Sequence, residues 1–170
     1  MSQINATNSL SQIMADIDLG PSGSIQFLFA KLQMAQSQIC KNEAESYMKQ
    51  IETIQEEQKE CAEMIERART YQNQAKTNGG TTTMPDDMVK FFNDRGLSYD
   101  NTGNDKKHNA DEWDYNLKSL TNYQEQIGNK TQTLMIYLQD FIGQYNSYQE
   151  GAMSAISSAT QTLRSIAKGQ

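Results

Sequence analysis

Residues able to do chemistry are few and widely separated. The chain has one histidine, His108, and two cysteines, Cys40 and Cys61. Nucleophilic catalysis needs a base within hydrogen-bond reach of the nucleophile, and His108 belongs to a polar loop distant in sequence from either thiol. Cys40 and Cys61 stand 21 residues apart on one helical segment. They therefore share a face about 30 Å apart along a helix axis, far beyond the reach of a disulfide. Companions for a zinc site are missing beside them, so both are expected to pack in a core. The stretch Asp100-Asn101-Thr102-Gly103-Asn104-Asp105 has the composition of a calcium loop. Aligned on Gly103, however, the first ligand position is Ser98 and the twelfth is Asn109, where Asp and Glu belong, so a turn is expected. The acid pairs Glu56-Glu57 and Asp86-Asp87 suit a solvated helix face and a helix N-terminus. No catalytic site, metal or cofactor is expected from these parts.

The elements that would have to position such residues are helices. With 170 residues the chain is one domain in length, and its mean hydropathy of -0.75 is low for a compact globule. A net charge of -6 argues against a nucleic-acid phosphate binder and against an anionic-membrane clamp. Two prolines in the whole chain leave room for very long helices. No run approaches the ~18 consecutive apolar residues of a membrane helix, so direct membrane insertion is not expected. The opening Met1-Ser2-Gln3-Ile4-Asn5 lacks a basic and an apolar region, so export through a cleaved signal peptide is not expected either.

Residues 1–23 are expected as a flexible polar segment closing on the break Gly20-Pro21-Ser22-Gly23, either a plain tail or a docking and export segment that orders on binding. From 24 to 77 no proline or glycine occurs. Ile25, Leu28, Leu32, Ala35 and Ile39 define one register, and Cys40, Ala44, Tyr47, Ile51, Ile54, Gln58, Cys61, Ile65 and Ala68 a second, with a shift near 39–44. The alternating steps of three and four predict a heptad seam. Asn78-Gly79-Gly80 is a helix stop. Residues 78–110 are expected as an insert of loop carrying a short helix over 85–95, with Met88, Val89, Phe91 and Phe92 on its apolar side. Asn109-Ala110-Asp111-Glu112 is a capping-box variant. The seam that follows runs from Trp113 through Leu120, Ile127, Leu134, Leu138, Phe141, Tyr145, Tyr148, Ala152 and Ala159 to Ile166, a second long helix over 111–168. The expected fold is all-α, a long antiparallel helical hairpin, or coiled coil, with a small insert between its two helices.

This hairpin leaves something over. Met135, Ile142, Ile156 and Leu163 form a second strip beside the C-terminal seam, spaced by seven or fourteen. A two-stranded coil buries one seam per helix. Between Ile127 and Ile166 the only charged residues are Lys130, Asp140, Glu150 and Arg164. A solvated helix carries more Glu and Lys on its outer face, so either neighbouring subunits cover this surface or it is a merely polar exterior.

The layout resembles that of the EspA-like filament proteins of type III secretion systems. The resemblance rests on the order of segments, on Met84-Pro85-Asp86-Asp87-Met88-Val89-Lys90-Phe91-Phe92-Asn93-Asp94, and on the Gln-, Ser- and Ala-rich stretch from Thr133 to Gly169. The general pattern is also similar to that of the secreted filament-tip protein of Bordetella. The resemblance implies a non-enzymatic subunit secreted through a type III needle, which polymerises outside the cell into a conduit for translocator and effector proteins. It further implies a helical homopolymer, a small helical secretion chaperone that shields the seam before export, and contacts with needle and translocon proteins. Carried onto this chain, the polymerisation and chaperone seam is Leu134, Leu138, Phe141, Ile142, Tyr145, Tyr148, Ile156, Leu163 and Ile166, facing Ile25, Leu28, Leu32, Ile39, Ile51 and Ile54. The insert would face outward or contact the host. Other readings of the same hairpin are a non-polymerising needle-tip or hydrophilic translocator protein, and a cytoplasmic coiled-coil adaptor or chaperone. A type VII secretion substrate is disfavoured, because Trp113 is followed by Asp114-Tyr115 rather than by the Trp-x-Gly of that family.

Overall fold

The computed structural model describes residues 10–17, 24–77 and 79–169, with Ser11 described by its backbone alone. The expected break at Gly20-Pro21-Ser22-Gly23 lies outside the described residues. In chain order the elements are α1 (Leu10–Asp16), α2 (Ile25–Thr77), β1 (Thr82–Thr83), α3 (Asp86–Asp94), a single 3-10 turn (Thr102–Asn104), β2 (Lys107–His108) and α4 (Ala110–Lys168). The protein is an all-α helical hairpin in which α2 and α4 pack antiparallel and a short-helix insert joins them. No helix among the described residues is long and apolar enough to cross a membrane.

Two compact units divide the chain, and each long helix contributes a segment to both. Residues 50–134 form the insert-bearing unit, and the residues up to Lys49 with those from Met135 onward form the terminal unit.

The insert-bearing unit is built on large side chains. Ile51, Ile54 and Ile65 of α2 and Trp113, Leu120, Ile127 and Leu134 of α4 are buried, as are Met88, Phe91 and Phe92 of α3. Gly79 ends α2 with a positive φ of 62°, a conformation that costs glycine nothing, and Gly80 N–H closes onto Ala75 O at 3.2 Å. At the other side of the insert, Asn109 caps α4. Its Oδ1 accepts from the N–H groups of Asp111 and Glu112 at 2.9 and 3.0 Å, while Glu112 Oε2 accepts from Asn109 N–H at 2.7 Å. That reciprocal pair satisfies donors the helix cannot satisfy itself. β1 and β2 pair antiparallel, Thr82 opposite His108 and Thr83 opposite Lys107. Arg67 of α2 grips Asp87 of α3 through two bonds of 2.7 and 2.9 Å. Arg95 lies 3.9 Å over the Phe91 ring and reaches Glu60 at 2.5 Å.

In the terminal unit part of the N-terminal segment is described. Leu10–Asp16 is a helix, and Ile13 is buried. Ile13 and the half-buried Met14 put one apolar flank of this helix on the body of the unit, while Leu10 is exposed.

Candidate assembly surface

The terminal unit inverts the usual order of sizes. Among its described residues the buried apolar side chains are Ala30, Ala35, Cys40, Ala44, Ala152 and Ala159, with Ile13 the single large one. Its large apolar residues point outward: Ile25 is 82 % exposed, Met153 69 % and Ile136 65 %, and Leu163 and Ile166 are exposed with them. In the insert-bearing unit Tyr115 is the one exposed large hydrophobic residue among those described.

The reason lies in the register. In the terminal unit α2 meets α4 through Tyr47, Cys40, Ser37 and Gln33. Tyr47 stacks on Phe141 at 5.6 Å, Cys40 Sγ lies 3.7 Å from Gln144 Oε1, and Gln149 Nε2 donates to Ser37 Oγ at 2.7 Å. Gln33 Oε1 sits 3.0 Å from where a Cβ on Gly151 would stand. Within the terminal unit the side chains of α2 that meet α4 are small or polar, while its large apolar residues lie on another face. Ile25 and Leu28, expected in the first-helix seam, are exposed, and Leu32 and Ile39 are half-buried beside it. Small side chains with paired polar groups allow close helix approach, and they displace the bulky residues to the flanks.

The other seam residues are divided. Ile51, Ile54 and Leu134 are buried; Leu138, Phe141, Tyr145, Tyr148 and Ile156 are half-buried; Ile142, Leu163 and Ile166 are exposed. Beyond Ala159 every described residue but Thr160 is exposed, so among the described residues no helix face covers the end of α4. Where α1 lies against α2, Met14, Ile25, Leu28, Phe29 and Leu32 line an open groove of about 390 Å³. It is almost wholly apolar.

Covering half a dozen half-exposed Ile, Leu and Met side chains would contribute on the order of 5–10 kcal/mol. Association costs about 4–15 kcal/mol. Terms of this size nearly balance, so any association through these flanks would depend on concentration.

The structure also brings together residues that spacing along the chain did not connect. Asp100, His108 and Glu112 each offer a ligand atom within 4.8 Å of the others. His108, expected in a polar loop, is 1 % exposed, edge-on to Trp113 at 5.1 Å between ring centres. Neither ring nitrogen has a hydrogen-bond partner. Burial pushes its pKa below the ordinary histidine value, against the pull of Asp100, Glu112 and Asp105, so the ring is neutral near pH 7. Asp100 is held from two sides: buried Asn116 of α4 accepts its backbone N–H at 2.7 Å, and its own carboxylate accepts from Thr102 N–H at 2.9 Å. The signal available in sequence was His108 and Glu112 four apart across a helix start, with Asp100 and Asp105 upstream.

Cys40 and Cys61 are both free and buried. Cys61 Sγ lies 3.5 Å from Leu120 O, inside the packing of the two long helices. No protein-family model matches the chain, and no curated protein and no solved structure matches it either.

Proposed function

We propose that this chain is a secreted structural subunit that polymerises through its long helices into an extracellular type III secretion filament, extending the needle as a conduit to the host cell. The observation that carries the proposal is the inversion in the terminal unit, alanines inside and Ile136, Ile142, Met153 and Leu163 outside. A helix whose large apolar residues point outward, with few charges among them, suits coverage by copies of itself. The segment order and the Met84 to Asp94 stretch support the same family of assemblies. On this reading a small helical chaperone shields the exposed strip before export, and needle and translocon proteins meet the ends of the polymer.

A second reading has one observation in its favour. α1 lies against α2 with Ile13 buried, so part of the terminal unit's surface is covered from within the chain. That suits a capped, non-polymerising needle-tip protein. Negative-stain microscopy with light scattering at rising concentration separates the two. Fibres that grow with concentration support the filament; a monodisperse monomer at every concentration and salt overturns it and leaves the tip protein.

A further inference from the structure

We infer that Asp100, His108 and Glu112 form a binding site for one divalent transition-metal cation of the zinc class, which pins the insert to the first turn of α4. The donor set is one imidazole nitrogen and two carboxylates, the composition of zinc sites that keep a fourth position for water. Calcium and magnesium take oxygen ligands throughout, so a neutral imidazole at the centre selects against them.

The histidine separates this site from an ordinary acidic cluster. His108 is buried with both ring nitrogens unpaired, although buried polar groups nearly always find a partner. Its Nδ1 is 4.0 Å from Asp100 Oδ1, too far for a hydrogen bond. A cation seated among the three ligand atoms would need each to close by less than about 1 Å to reach bonds of ~2.0–2.2 Å. It would satisfy the ring and the carboxylates together.

The surroundings are arranged to hold the ligands. Asn116 fixes the backbone of Asp100, the Asn109 N–H fixes Glu112, and Trp113 packs edge-on against the imidazole. Such outer contacts orient metal ligands in known sites. The N-terminus of α4 opposes a cation with roughly half a positive charge. Two carboxylate ligands, with Asp105 nearby, outweigh it.

The test uses the full chain, stripped with EDTA, titrated with Zn²⁺ by calorimetry and with Co²⁺ by visible absorption. One equivalent is expected to bind, with a cobalt spectrum of low coordination number and a raised thermal midpoint. Asp100→Asn and Glu112→Gln keep an oxygen to accept from Thr102 and Asn109, so both variants should retain the native circular dichroism. Each should weaken Zn²⁺ binding at least tenfold. His108 variants disturb the packing on Trp113 and are not needed. Absence of binding at millimolar Zn²⁺, binding unchanged in both variants, or Ca²⁺ binding as tightly as Zn²⁺ would each overturn the site.

Discussion

Trp113 and Thr82 are joined by a hydrogen bond of 2.7 Å from the indole N–H to the threonine hydroxyl, and that hydroxyl donates in turn to Tyr71 O at 3.0 Å. The Tyr71 ring stacks on Trp113 at 5.5 Å, so α2, β1 and α4 meet at one point. Thr82→Val keeps the shape but leaves the indole donor buried without a partner. The expected cost is about 1–3 kcal/mol, read from urea denaturation. Trp113 is the only tryptophan in the chain, so its emission should follow the same transition.

Ile136 and Met153 are large, apolar and exposed. Ile136→Glu and Met153→Glu should leave the stability of the single chain within about 0.5 kcal/mol. Fibre formation should be lost in both, because an unpaired charge would enter a covered interface. Substitutions within Asn101 to Lys107 serve as controls and should leave fibres intact. Sedimentation and microscopy on the same preparations check the pair of outcomes.

Gly143 sits inside α4 with nothing within 4 Å of where a Cβ would stand. In the single chain Gly143→Ala should stabilise the helix by about 1 kcal/mol. In the filament, the same methyl group would meet a neighbouring subunit wherever the flank is covered. A higher thermal midpoint combined with fewer fibres is the expected pattern.

Both thiols should be silent in the folded protein. Burial pushes Cys61 up to about 11, with the Arg95 guanidinium pulling the other way, and burial raises Cys40 as well, helped by Asp140. Thiolate is the reactive form. At pH 8 an alkylating reagent should label neither residue in the native chain and both in urea, as mass spectrometry would show.

Tyr123 donates a short hydrogen bond to Glu57, and its phenol is pushed up to about 12 by burial first and that bond second. A phenol whose folded pKa exceeds its unfolded value of ~10 favours folding while it stays protonated. Its contribution is complete below pH ~10 and disappears as the pH climbs toward 12. Tyr123→Phe should flatten the fall in stability across that window, measured by urea midpoints at successive pH values.

The two long helices were legible because their signals are local. Heptad spacing from Cys40 to Ala68 and from Trp113 to Ala159 coincides with the observed packing face, the glycine stop at Gly79 ends α2, and the Asn109–Glu112 cap starts α4. Backbone hydrogen bonding and side-chain period act within a turn or two, so the order of residues carries them directly. Other features depended on what each face met. Ile25 and Leu28 look like seam residues by type, yet within the terminal unit the partner helix is engaged by Gln33, Ser37 and Cys40. Likewise α1 gained its helix by laying Ile13 on the terminal unit. His108 became a buried, unpaired base only when β2 paired with β1 and the loop at Asp100 folded under Asn116. Composition determined that this chain would be acidic, with two prolines only and so with room for very long helices. Tertiary packing alone decided which apolar residues were left outside and which polar ones were drawn in, because burial is a property of two surfaces and neither is written in one segment.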